Sequence, residues 1–251
     1  MHVRVGHSPD PDDAFMVWAI AERALDLRGL EIELVPADIQ TLNAWAAEGR
    51  LEATALSVGA YPGVQDVYRL LGHGASLGEG YGPVVIAREP LTPDRLAGMR
   101  VAVPGPQTTA YLTARLALPA FEPVQLDFER IMAAVASGDV AAGVVIHEGQ
   151  LTWEQEGFSR VLDLGAWWEG ETGMPLPLGA VAVRRDLPED RAADLSAVLK
   201  EAVAVGMEHR EEALAYAIEY GRGIAPDLND RFVAMYVNDL TLDYGERGRA
   251  A

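Results

Sequence analysis

The chain contains no cysteine. That excludes disulfides, thiolate nucleophiles and Cys-ligated zinc or iron–sulfur centres. Lys200 is its one lysine and sits in a stretch that reads as an exposed helix, so Schiff-base and P-loop lysine chemistry have a single, poorly placed candidate. Basic residues are scarce altogether: 20 Lys and Arg against 38 Asp and Glu leave a formal net charge of −18 over 251 residues. Phosphate recognition needs a basic face, so nucleic acid is not an expected partner. No run of roughly 18 apolar residues occurs, and no membrane span is expected. Met1–Gly6 runs directly into a strand, without the basic and apolar regions of a secretory signal, so a cytoplasmic location is expected. No paired histidines, no Gly-x-Gly-x-x-Gly after a strand and no Gly-x-Ser-x-Gly elbow are present, so neither metal nor cofactor is expected.

What is present alternates between two periods. Val3–Gly6, Leu30–Val35, Ala53–Ser57 and Gly82–Ala87 read as strands, separated by helices from Asp12 or Asp13 to Ala24 and over Leu42–Ala47. After the turn-rich joint Glu89–Pro93 the pattern restarts. Strands are expected at Met99–Val103, Val124–Phe128, the run ending at His147, and Val161–Leu164, with helices over Ala110–Leu118 and Phe128–Ala136. Met174–Gly179 reads as a second proline-marked joint and Ala180–Arg184 as a returning strand. Pro188–Asp239 reads as all helical, with Pro226 near the start of the last helix. Two α/β units joined twice predict a larger lobe, 1–88 with 184–251, and a smaller lobe, 89–183, around a cleft.

Four segments carry candidate chemistry. Gly143-Val144-Val145-Ile146-His147 is an apolar strand ending on an imidazole, and strand C-termini face the ligand crevice of open α/β sheets. Histidine's ordinary pKa lies near neutrality, so His147 is a candidate general base. Ser8-Pro9-Asp10-Pro11-Asp12-Asp13 leads into the first helix. Capping explains Asp12 and Asp13, and the spacing lacks the alternation of a calcium loop. Ser57 ends one strand and Thr108-Thr109 begins a helix after another; hydroxyls and free N–H groups at such ends bind anions. The two together, one per lobe, would clamp a carboxylate without any basic side chain. Asn43 is either a third member of this set or a turn residue. Trp167-Trp168 is either a cleft cover or lobe packing.

The combination Ser8-Pro9-Asp10-Pro11-Asp12-Asp13-x-Phe15, Asp38-Ile39-x-Thr41-Leu42-Asn43, Val103-Pro104-Gly105-x-x-Thr108-Thr109 and Ile146-His147-Glu148-x-Gln150 resembles the 1,4-dihydroxy-6-naphthoate synthase family of the futalosine route to menaquinone. The resemblance implies an α/β, two-lobe, periplasmic-binding-protein-like (type II) fold with an interdomain cleft. It implies a lyase, without metal or cofactor, that converts an anionic small molecule, cyclic dehypoxanthine futalosine, into 1,4-dihydroxy-6-naphthoate. The family's base matches His147, and its substrate contacts match Leu56-Ser57 and Thr108-Thr109; Ser8, Asp10 and Asn43 are candidate substrate contacts beside them. The alternatives are a non-catalytic solute-binding or sensor protein of the same fold, and the sister chorismate dehydratase.

Overall fold

A computed structural model describes residues 1–223 and 225–251. Strands β1 (His2–His7), β2 (Glu31–Pro36), β3 (Ala53–Ser57), β4 (Tyr68–Leu70) and β5 (Ser76–Gly78) come first, with α1 (Pro11–Ala21) and α2 (Ile39–Ala47) between them. There follow β6 (Val84–Ala87), β7 (Arg100–Val103), α3 (Thr109–Ala117), β8 (Glu122–Gln125), α4 (Phe128–Ser137), β9 (Ala142–Val145), α5 (Gly149–Thr152), β10 (Ser159–Asp163) and α6 (Leu164–Thr172). β11 (Leu176–Arg184) precedes the helices α7 (Glu189–Glu208), α8 (Arg210–Ala217), α9 (Pro226–Tyr236), α10 (Asp239–Leu242) and α11 (Gly245–Ala250).

The strands form two sheets. The first runs β2-β1-β3-β11-β4, with β5 also paired to β11; the second runs β10-β6-β9-β7-β8. β1 is parallel to β2 and β3, while β11 enters antiparallel to β3. In the second sheet β7 is parallel to β8 and β9, and β6 is antiparallel to β9. Each sheet thus has a parallel part, whose strand ends and helix starts point the same way, and the cleft lies there. Helix α1 is buried on most sides, because α7, α8 and α9 pack over it. Its Ala, Phe, Met, Trp and Ile side chains join the main core; burying a residue such as Phe15 contributes about 1.5–3 kcal/mol.

Several expectations shift. The first helix ends at Ala21 rather than Ala24, and its cap is Asp10, whose side chain accepts the Asp13 N–H, rather than Asp12 or Asp13. β9 ends at Val145, and His147 lies two residues beyond it with φ 52°. Met174–Gly179 is no joint over most of its length: Leu176–Gly179 pairs with β5 and β3 as the start of β11. Part of the Gly-rich run around His73 is the strand β5. Strand pairing also places β6 in the second sheet and β11 in the first. The expected boundaries at 88/89 and 183/184 therefore cut after β6 and at the end of β11, whereas the chain crosses between sheets before β6 and before β11. Among the described residues no helix is long and apolar enough to cross a membrane.

Candidate functional site

A cleft with a cavity volume of about 110 Å³ opens between the two sheets. The first lobe contributes Ser8, Asp10, Asp12, Asp13, Leu56 and Ser57, and the second contributes Thr108, Thr109, Ala110, Ile146, His147 and Gln150. Leu178, Gly179, Phe232 and Tyr236 complete the walls. Each expected site residue lines the cleft except Asn43. Neither Trp167 nor Trp168 lines it, and no Lys or Arg does among the described residues.

His147 reaches the cleft through a left-handed turn immediately after β9. Such a backbone costs a non-glycine residue about 1–3 kcal/mol and persists only where its surroundings impose it. Here the imposition is visible. Nδ1 lies 2.8 Å from Asp10 Oδ2, and the ring packs edge-on to Phe128, 4.6 Å between centroids. Asp10 is itself held as the cap of α1 by the stiff Pro9-Asp10-Pro11 turn. Nε2 is buried and has no hydrogen-bond partner. With Asp10 ionised, the Nδ1 proton is donated to it, which leaves Nε2 as the nitrogen with a free lone pair in a residue that lines the cleft. Burial opposes charge on the imidazole, but the Asp10 carboxylate outweighs burial, so the His147 pKa stands above its ordinary value.

Three carboxyl groups crowd the start of α1, and their environments push them apart. Burial would raise Asp10, yet the His147 charge and hydrogen bond, with a hydrogen bond from Asp12, hold it well below the carboxylate range. Burial and then the charges of Asp10 and Asp13 push Asp12 well above that range. Burial and the Asp10 charge raise Asp13 to about 7, against the pull of the Ser8 N–H, which donates to its Oδ2 at 2.6 Å. Ligand atoms of Asp10, Asp12 and His147 lie within 4.8 Å of one another, a distance that suits a cation. The bonding within the group reads otherwise. The imidazole Nδ1 is committed to Asp10, and burial beside the Asp10 charge favours the protonated, neutral form of Asp12. Ser8 Oγ, Asp12 Oδ1 and His147 Nε2 are each buried without a partner, and all three residues line the cleft. Buried polar atoms are rarely left so.

On the opposite wall, of the hydroxyl and N–H clamp expected from sequence, the hydroxyls are already engaged. Thr108 Oγ1 donates to the Gly105 carbonyl and accepts the Tyr111 N–H, as the cap of α3. Thr109 Oγ1 donates to the Leu178 carbonyl and accepts the Gly59 N–H, tying the lobes together. Both hydroxyl protons are engaged, so this segment offers a ligand the first N–H groups of α3 rather than its hydroxyls. Ser57 is different. Its Oγ accepts from Asn43 Nδ2 at 3.0 Å, and its N–H donates to Asn43 Oδ1 at 2.8 Å, so its own proton is available. Asn43 is fully buried and also donates to the Gln107 carbonyl; it positions Ser57 from behind.

Residues that local sequence patterns did not single out also shape the cleft. The Tyr236 hydroxyl on α9 donates to Gln150 Oε1 at 2.6 Å. Gln40 and Gln107 bond across the lobes twice, and a side chain at Gly105 would collide with Gln40. Arg222 donates to Glu129, Glu148 and the Pro9 carbonyl, and its guanidinium lies 4.6 Å from the Phe128 ring centroid, the ring that packs on His147. Glu148 is thus a partner of Arg222. The His-Glu-x-Gln spacing was a signal for Gln150; nothing local marks Tyr236 or Arg222.

Residues 3–251 match the family described as menaquinone biosynthesis. The chain is 44% identical over 249 residues to a protein of Thermus thermophilus named 1,4-dihydroxy-6-naphthoate synthase, covering 99% of this chain and 90% of that one. It is 36% identical to a Streptomyces coelicolor protein of the same name, covering 99% and 89%. A crystal structure of an Archaeoglobus fulgidus protein superposes with a TM-score of 0.96 at 45% identity, covering 100% of this chain and 93% of that one. The alkanesulfonate-binding protein of Xanthomonas axonopodis pv. citri, solved with MOPS, shares the fold at TM-score 0.71 and 18% identity, covering 94% and 84%. With its two lobes of periplasmic solute-binding type and a match along nearly its whole length, the chain belongs to the menaquinone-biosynthesis family.

Proposed function

We propose that this protein is a lyase that converts cyclic dehypoxanthine futalosine into 1,4-dihydroxy-6-naphthoate, with His147 as general base and no cofactor. The observation that carries the reading is the buried, unpartnered Nε2 of His147, a residue that lines the cleft, while Nδ1 is tied to Asp10. An imidazole with one nitrogen anchored on a carboxylate and the other free is arranged to take a proton.

The reaction starts at a C–H next to a carbonyl. His147 Nε2 removes that proton, the electron pair passes to the carbonyl oxygen, and bond cleavage and aromatisation follow. A positioned base contributes about 10²–10⁴-fold. Orientation between the lobes supplies a further, potentially larger factor. The substrate's aromatic carboxylate is held by the Ser57 hydroxyl and the first N–H groups of α3, whose dipole favours an anion. Leu56, Phe232 and Ile146 give the ring an apolar surface. Division into lobes follows the sheets, with crossings before β6 and before β11.

His147→Asn tests this. Asn keeps size and polarity but cannot accept the proton, so kcat should fall at least about 100-fold while product affinity and folding are retained. Wild-type protein that binds the product but never turns the substrate over would make it a binding protein. A variant keeping more than about a tenth of kcat would remove His147 from the role.

A further inference from the structure

We propose that Asp12 is a second proton-transfer group of the cleft, carried as a neutral carboxylic acid that protonates the substrate oxygen on which charge develops. The inference rests on the lyase reading above for its substrate, but not for its account of the resting protein.

Four observations converge on it. Asp12 is 7% exposed and lines the cleft. Its Oδ1 is buried without a partner. It lies within one small group with Asp10 and His147. Burial and the neighbouring Asp10 charge also push its carboxyl well above the ordinary range, because two buried carboxyl groups with oxygens within 4.8 Å of each other do not both ionise. Asp10 is pinned as the ionised member by the imidazole at 2.8 Å, so Asp12 is the member that keeps its proton. The chain's charge makes the same point. A cleft without Lys or Arg, holding three ionised Asp, would repel an anionic substrate, and a neutral Asp12 removes one of those charges. Two groups of one cleft whose environments drive their protonation apart form an acid–base pair.

The proton balance closes. In the reactive protonation state His147 is neutral, Asp10 ionised and Asp12 protonated. The substrate C–H bond breaks and its proton forms N–H at His147 Nε2. The electron pair moves to the neighbouring carbonyl oxygen, and that oxygen takes the Asp12 proton to give an enol. The cleft then holds an imidazolium and two carboxylates, with its total charge unchanged. In the following C–O cleavage Asp12 takes the enol proton back, the electron pair expels the leaving oxygen, and His147 protonates it. Both residues return to their starting state without any external donor.

The groups facing Asp12 are Asp10 and Asp13 on its own segment, His147 after β9 and Tyr236 on α9, with Arg222 and Glu148 one layer beyond His147. Asp12→Asn retains size and a donor toward Asp10 but cannot transfer a proton. With wild-type turnover of cyclic dehypoxanthine futalosine first established, kcat of Asp12→Asn should fall about 10²–10⁴-fold. The alkaline decline of the wild-type profile, where Asp12 loses its proton, should vanish. A variant that keeps more than a tenth of kcat with an unchanged alkaline limb overturns the proposal. Absence of wild-type turnover sinks the lyase reading instead. A second measurement needs no substrate: carbon-13 NMR of Asp-labelled wild type should show a carboxyl still protonated above neutral pH. That signal should persist in Asp13→Asn and, where the variant folds, be absent from Asp12→Asn. A spectrum of the Asp13→Asn protein with every Asp ionised at pH 8 refutes the neutral acid outright.

Discussion

Replacing Asp10 by Asn separates two things that the carboxylate does for His147. In the wild type the Nδ1–Oδ2 bond of 2.8 Å joins a proton donor to an ionised acceptor, and burial works against it. Hydrogen bonds to charged groups contribute about 1.5–3 kcal/mol, and one pKa unit corresponds to about 1.4 kcal/mol. Removing the charge should therefore lower the His147 pKa, and with burial left as the main influence the group should move from above its ordinary value to below it. The base is the neutral imidazole, so activity rises with pH through this pKa. The acid limb of kcat/KM should accordingly move to lower pH in Asp10→Asn. The variant should also be slower at its own optimum. Loss of 1.5–3 kcal/mol of anchoring corresponds to about 10–150-fold in rate. Initial rates with cyclic dehypoxanthine futalosine, measured from about pH 5 to 9 across the titration range of histidine, read both effects. An acid limb that stays in place or moves up would mean that His147 does not titrate against Asp10, and the reasoning from the ion pair would be wrong.

Two further outcomes follow from the same cleft. Ser57→Ala should weaken binding of an aromatic carboxylate by about 1–3 kcal/mol in titration calorimetry, because the Ser57 proton, unlike those of Thr108 and Thr109, remains available; unchanged affinity would place the carboxylate elsewhere. Asp13 has a folded-state pKa raised to about 7, so its contribution to stability is complete below the unfolded value of about 3.8 and is lost as pH rises through about 7. Asp13→Asn should escape that loss. Denaturant unfolding should find it gaining on the wild type by about 1–3 kcal/mol between pH 4 and 8, discounted because the group is partly exposed; a constant difference would refute this.

Much of the scaffold was legible because it is written in local periods. Leu30–Val35 alternates and becomes β2. The Ser-Gly-Asp stop after α4 places a glycine at φ 81°. Other features depend on contacts that no window of sequence contains. β4 and β5 are three residues each, too short to establish a period. Pro177 argues against a strand, yet it sits where the β11–β5 register shifts, a place where proline is tolerated. The apolar run into His147 does not reveal where pairing ends, and the left-handed turn that aims the ring is set by Asp10 and Phe128. The site was legible as a set of residues: Ser8, Asp10, Ser57 and His147 do meet. Its division of labour was not. Thr108 and Thr109 spend their hydroxyl protons on backbone carbonyls, Asn43 stands behind Ser57, and Tyr236 arrives from α9, 86 residues past Gln150.

The position of β11 has a consequence for how the chain is made. The second sheet is built from one continuous stretch, β6 to β10, and each of its strands finds its neighbours within that stretch. The first sheet is not. β3 and β4 are separated by β11, which emerges only after the whole second lobe, so during synthesis β3 waits with one edge open, an entirely buried Ala-Thr-Ala-Leu-Ser in the finished protein. Unpaired apolar edges invite pairing with other chains. The smaller lobe can close on its own as it leaves the ribosome, whereas the larger must hold an unfinished sheet open for nearly 120 residues, between Ser57 and Leu176. Slow or interrupted translation before β11 is thus the point at which this protein is exposed to aggregation, and a chain ending before Leu176 carries the wall for Asp10 and Ser57 without the strand that completes it.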